Sequence, residues 1–291
     1  MYRTFLSLIS LLLLATSCAG PLADKPQLTV SIEPLRYFVD NIGGDNFQVS
    51  TLVPAGASPE TYELTPQQAV EVSDSRAYFS VGTLGFEQTR LKQLVDNNPG
   101  LLAVNVSDSI ALLTFDHSCC EHHGHDHSKA DGESIDLHTW ASASSARHIA
   151  KSVCRTLIQL DSINAPLYQH RTDSLLAHID SIDIQVSTIL RPLQHRAFLI
   201  YHPALGYYAR DYGLQQFAVE RDGKEPSPEQ LKDLINQVRT EGIKVVFIQQ
   251  EHAGRAARRV AEATGTRIVS INPLAYDWDQ EMLRIAKSLA E

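Results

Sequence analysis

Residues 165–190 read APLYQHRTDSLLAHIDSIDIQVSTIL. The stretch has no glycine, and its one proline, Pro166, stands at the start, where a missing N–H costs a helix nothing. Apolar side chains recur at Leu175, Ile179, Ile182, Val186 and Ile189, in steps of four and three. That spacing draws a single stripe along one helix. A helix of about 25 residues would reach roughly 37 Å at 1.5 Å per residue, and Pro192 bounds it.

Outward from this helix, short apolar runs alternate with amphipathic ones. Before it, Leu28–Ile32, Gln48–Val53, Ala77–Val81 and Leu101–Val104 are expected as strands, with helices over Leu35–Asn41, Pro66–Ser73 and Phe86–Asp96. After it, strands are expected at Ala197–Tyr201, Gln216–Val219, Val245–Ile248 and Arg267–Ile271. The intervening helices are Pro203–Asp211, Pro228–Thr240, Gly254–Thr264 and Asp277–Ala290. Such alternation implies parallel sheets covered by helices on both faces. The predicted fold class is therefore α/β: two lobes with parallel β-sheets flanked by helices, joined by one long rigid α-helix. The N-terminal lobe spans 27–164, the linking helix 165–191 and the C-terminal lobe 192–291. A single stiff connector implies small rearrangements between lobes, not a wide hinge closure.

The N-terminus carries Arg3, an apolar run from Phe5 to Ala15, and then Thr16-Ser17-Cys18. About eleven apolar residues fall short of the roughly twenty that cross a bilayer, and the preceding positive charge fits a secretory signal. Small residues before a cysteine fit lipoprotein processing. Residues 1–17 are thus expected to be a lipoprotein signal peptide, with Cys18 acylated and residues 18–26 a tether; ordinary cleavage with an incidental Cys18 is the alternative. No second long apolar stretch follows, so the membrane is met only through the lipid, on the extracytoplasmic side of a bacterial membrane. The formal charge of −9 argues against nucleic acid, which asks for a basic face, and mildly favours cations. Beyond Cys18 only Cys119, Cys120 and Cys154 remain, too few for a disulfide framework. Cys154 falls in a helical pattern and is expected to be a small buried residue.

Residues 116–133, DHSCCEHHGHDHSKADGE, have no apolar periodicity and cannot build a core. His117, Cys119, Cys120, His122, His123, His125 and His127 offer nitrogen and sulfur donors suited to zinc, copper or nickel, not calcium or magnesium. A flexible cluster of that kind binds weakly, so it is expected to be auxiliary. Directly after it, His138 stands two residues from Asp136, which could hold a liganding imidazole in orientation. His202 follows an apolar strand and precedes a helix, where open α/β sheets bind ligands. Glu60 lies on a proline-stiffened loop after another strand end. Singly, each has an ordinary structural explanation.

Together they resemble the cluster A-I family of metal-binding receptors for ABC importers. Its motif series is matched at Gly56–Pro66, Asp136–Trp140, His202–Tyr207, Gly223–Ser227 and Asn272–Leu274, across nearly the whole mature chain. The histidine-rich insert is typical of zinc-type members. The resemblance implies that His138 and His202 are ligands. Glu60 stands where the family has its first ligand histidine, and a carboxylate oxygen is a workable substitute on Zn²⁺. Asn272 stands where many members have a ligand aspartate and is a candidate fourth ligand, with water as the alternative. An oxygen ligand leans toward Mn²⁺; the histidine-rich loop leans back to Zn²⁺. The implied partners are the permease and ATPase complex of an ABC importer, the receptor itself being a monomer. Histidine ligation predicts affinity falling as pH drops through about 6.5.

Two other classes compete. Two His and a carboxylate also serve zinc hydrolases, but the chain has no His-Glu-x-x-His, Gly-x-Ser-x-Gly or P-loop, and Glu251 and His252 are the only spare pair at a strand end. An enzyme is not expected. A zinc buffer or chaperone without an importer shares the metal chemistry.

Overall fold

The computed structural model describes residues 25–115, 134–220, 223–252 and 254–291. The signal segment 1–17, Cys18, and the loop donors His117, Cys119, Cys120, His122, His123, His125 and His127 lie outside the described residues.

The N-terminal lobe is built on four parallel strands: β1 (Gln27–Val30), β2 (Gln48–Thr51), β3 (Ala77–Ser80) and β4 (Leu102–Asn105), in the order β2-β1-β3-β4. The inner strands β1 and β3 are buried almost throughout, as a sheet covered on both faces requires. Its helices are α1 (Glu33–Gly43), α2 (Pro66–Ser73), α3 (Lys92–Asp96) and α4 (Ala143–Leu160). The helix expected over Phe86–Asp96 is instead a wide π-turn, Glu87–Leu91, running into α3. Glu87 is folded back there, accepting the backbone N–H groups of Val81 (2.9 Å), Gly82 (2.7 Å) and Leu84 (3.2 Å). Two elements had no sequence signal of their own. One is the antiparallel pair β5 (Thr114–Phe115) and β6 (Ser134–Ile135). The other is the first half of α4, which packs through Ala143, Ser145, Ala146, Ile149 and Ala150, where a single large apolar residue among small ones draws no stripe. Cys154 is buried on that helix with a free thiol.

The linking helix α5 (Ala165–Leu190) buries Tyr168, Thr172, Leu175, Ile179, Ile182, Val186 and Leu190. The stripe ends on Leu190, with Ile189 only half-buried. It packs on α1 and α4 of the N-terminal lobe. Arg147 of α4 reaches Asp180 and Asp183, both at 2.7 Å, and Arg171 of α5 donates to the Gly43 carbonyl at 2.8 Å, at the end of α1.

The second lobe repeats the first: β7 (Ala197–Ile200), α6 (Gly206–Tyr212), β8 (Gln215–Ala218), α7 (Pro228–Thr240), β9 (Val245–Gln249), α8 (Arg255–Thr264), β10 (Arg267–Ile271) and α9 (Trp278–Ala290). Its sheet is parallel in the order β10-β9-β7-β8. Helix α6 begins at Gly206, later than the expected Pro203, because the His202 carbonyl is already taken by the Ala204 N–H and the Gln249 amide. Helix α9 lies along α5, so the connector is fastened to both lobes. A second fastening crosses the interface directly. The Trp140 indole donates to the Pro273 carbonyl, and the Trp278 indole to the Trp140 carbonyl, both at 2.8 Å. Trp278 also packs on Phe38 of α1, ring centroids 5.7 Å apart.

Candidate functional site

Three segments deliver one side chain each to the cleft between the sheets. The first is the loop from β2 to α2. Gln68 ties it down, its amide donating to the Leu52 carbonyl at 2.6 Å and accepting from the Thr65 N–H at 3.1 Å and the Tyr62 hydroxyl at 2.9 Å. Gly56 turns the loop at φ +82°, a conformation L side chains avoid. Glu60 sits on this frame. The second is the segment after β6. The Asp136 N–H donates to the Leu113 carbonyl at 2.8 Å, and the Tyr207 hydroxyl donates to the Asp136 carbonyl at 3.0 Å. A side chain on Gly206 would come within 2.1 Å of the Asp136 carboxylate, so residue 206 must be bare. Asp136 Oδ1 then accepts from both the backbone N–H of His138 (2.9 Å) and its Nδ1 (2.8 Å). The third is the end of β7. Chain order reverses between β7 and β9, the crevice where such sheets bind ligands. There the Gln249 side chain accepts from the His202 N–H and donates to its carbonyl, and Glu220 Oε1 lies 2.5 Å from His202 Nδ1.

Both rings thus have Nδ1 engaged by a carboxylate, which places a hydrogen on Nδ1 and turns Nε2 into the cleft as the atom available to a metal. The two Nε2 atoms are 3.1 Å apart; Glu60 Oε1 lies 3.1 Å from that of His202 and 3.7 Å from that of His138. Four donors at about 2.0–2.1 Å from a tetrahedral Zn²⁺ stand roughly 3.3 Å from one another. The edges of this triangle scatter about that value. Both histidines are buried, while the Glu60 side chain keeps 32% of its exposure and forms the open side.

The carboxylates also set the charge state of the site. Burial works to raise the Glu60 carboxyl, but the hydrogen bond and charge of His202, with His138 and His252 behind it, hold it below its ordinary range. Burial works to lower His202, but Glu220 and Glu60 outweigh it and push the imidazole up to about 9. At neutral pH His202 therefore carries a proton that an incoming cation must displace. Competition between protons and metal begins below pH 9, well above the 6.5 expected from an unperturbed histidine. Binding at pH 7.5 is expected to release about one proton per ion from this residue, with apparent affinity falling about tenfold per pH unit below 9. Calorimetry in buffers of different ionisation enthalpy reads the proton directly. Proton release that Glu220→Gln leaves unchanged would show that the Glu220 pair is not its source.

Glu60, His138 and His202 are brought together, and Asp136 stands behind His138 as expected. Asn272 is not brought to the centre. Its Oδ1 accepts the Leu274 N–H at 3.2 Å and its N–H is held by Glu281 at 2.7 Å, and it lines a neighbouring depression with Ile32 and Gly56. Sequence reasoning missed Glu220 and Gln249. The available signal was that both sit at carboxyl ends of strands, a weak one because charged and amide residues are common in such turns.

The sequence and the two-lobed fold have counterparts among known proteins. Residues 28–290 match the family described as the periplasmic component A of zinc-uptake complexes. The chain belongs to this family. Members are metal-binding transport receptors, not enzymes, which places the chain in the class its motif series implied. It is 28% identical over 268 residues to a putative metal-binding protein of Chlamydia muridarum, covering 92% of this chain and 91% of that one. It is 24% identical over 254 residues to the high-affinity zinc uptake system protein ZnuA of Bacillus subtilis, covering 86% and 79%. Among solved structures, a crystal structure of ZnuA superposes with a TM-score of 0.82 at 32% identity, covering 92% of this chain and 98% of the other. Among the described residues, no helix is long and apolar enough to cross a membrane.

Proposed function

We propose that this protein captures Zn²⁺ with Glu60, His138 and His202 and passes it to the permease and ATPase of an ABC importer, held at the membrane by a lipid on Cys18. The observation that carries the ligand assignment is the donor triangle, with all three ligand atoms within 4.8 Å of one another and both imidazoles presenting Nε2. Nitrogen donors favour Zn²⁺ over Mn²⁺ in affinity order and in softness. The zinc uptake role of the Bacillus relative and the family description support the same ion.

The histidine-rich segment fits a gathering role. Its flanks are paired through β5 and β6, and the chain passes from β6 to His138. Ions held weakly there are carried close to the tight site. Rigid lobes make release, not capture, the step that needs a partner: the importer must distort the triangle to free the ion. Delivery is tested with a candidate zinc-importing ABC permease and ATPase from the same organism, reconstituted in vesicles. Zinc-loaded receptor is expected to stimulate ATP hydrolysis and zinc entry, and metal-free receptor to do neither. Tight zinc binding with no stimulation would leave a buffer or chaperone as the function.

A further inference from the structure

Three donors leave one corner of a zinc tetrahedron open, and the candidate fourth ligand Asn272 is engaged in its own turn. The wall of the same small cavity holds another nitrogen donor. His252 lines it together with Glu60, His138 and His202. It sits in the turn after β9, its N–H bonded to the Gln249 carbonyl at 3.2 Å. Its ring stacks on that of His202, centroids 5.3 Å apart and planes 26° from parallel, and packs against Tyr201 at 5.0 Å. The space is small, about 10 Å³, room for one ion or one water.

Resting on the three-ligand reading above, we propose that His252 is the fourth ligand of the bound ion. Its ring nitrogens stand outside the tight donor cluster. His252 nevertheless shares the cavity wall with all three donors and stacks on the His202 ring; on the proposal, turning about its own side-chain bonds brings a ring nitrogen to the ion. The completed set is three imidazole nitrogens and one carboxylate oxygen, a tetrahedral set suited to Zn²⁺. Mn²⁺ prefers six donors, mostly oxygen, and gains little from a further nitrogen. His252 is on this account a selectivity residue as well as a ligand. Glu251 lines the same wall and offers the alternative, an oxygen in the fourth position.

The test is X-ray absorption at the zinc edge on the full mature chain, loaded with about half an equivalent of Zn²⁺ so that the tightest site fills first. Wild type is expected to show three imidazoles and His252→Phe two. Phenylalanine keeps a flat ring against His202 and removes only the donor. Zinc affinity is expected to weaken by about 10- to 100-fold, at least the loss that removal of an outer-shell partner causes, and manganese affinity by much less. An unchanged imidazole count with unchanged zinc-to-manganese selectivity overturns the proposal. His138→Ala, measured beside it, keeps the two failures apart. If His138→Ala lowers the count and His252→Phe does not, the three-ligand site stands without His252; if neither does, the site itself is wrong. Should His252→Phe fail to fold, His252→Gln gives the same reading.

Discussion

Replacing His138 with alanine is expected to abolish tight zinc binding. A four-ligand zinc site contributes on the order of 10–16 kcal/mol of apparent binding free energy, roughly 3 kcal/mol per ligand, so deleting one imidazole weakens binding by about a hundredfold or more. The loss here should sit at the upper end, because Glu60 is part-exposed and His202 holds a proton at neutral pH. Asp136→Asn is the graded control. It keeps the ring but removes the carboxylate that fixes its tautomer, for an expected cost of about 10- to 100-fold. Competition against a chelator of intermediate strength must be used, since donors in residues 116–133 can retain metal that simple metal analysis would count. Wild-type affinity in His138→Ala would end the assignment. A fall in thermal stability alone would not explain the loss, provided the metal-free variant keeps its circular dichroism spectrum.

The parts of this site that were legible in the sequence are those where chemistry and position coincide in one short motif. Asp136 and His138 lie two residues apart, so the pair that fixes the imidazole is written locally. The linking helix was legible because α5 has one stripe and no breaker. Glu220 and Gln249 were not, and His252 showed only as a spare residue at a strand end, for a physical reason. Glu220 follows β8 while Gln249 and His252 belong to the end of β9, and only the parallel pairing of β7 with β8 and β9 brings them beside His202. The order of strands in a sheet is set by crossovers, which leave no trace in residue spacing. Asn272 failed in the opposite sense. The motif placed it at the right strand end, but its side chain is consumed by the turn that follows. The upward shift of His202 was hidden for the same reason as Glu220: the carboxylate that raises it is supplied from another strand.

Trp278→Ala should produce the largest stability loss of any single substitution on the lobe interface. The side chain is 1% exposed, and removing a buried tryptophan of this kind costs about 3–5 kcal/mol through lost packing and the cavity left behind. For a chain of this size that corresponds to a melting temperature lower by roughly 10 °C. Trp278→Phe keeps most of the packing on Phe38 and loses the bond to the Trp140 carbonyl, worth about 1 kcal/mol. The effect should also reach the metal. Trp140 stands two residues beyond His138 and is held from both sides, by Trp278 at its carbonyl and by Pro273 at its indole. Freeing one side lets the His138 segment shift against the C-terminal lobe, so Trp278→Ala should bind zinc more weakly although it touches no ligand. Saturating zinc should restore part of the lost stability, because an ion bridging Glu60 and His138 to His202 fastens the same two lobes that the indole fastens. Stability within about 1 kcal/mol of wild type would mean that α5 alone holds the lobes. The donor triangle would then have to be maintained without the tryptophan clasp, and a larger difference in solution scattering between metal-free and loaded protein should accompany that result.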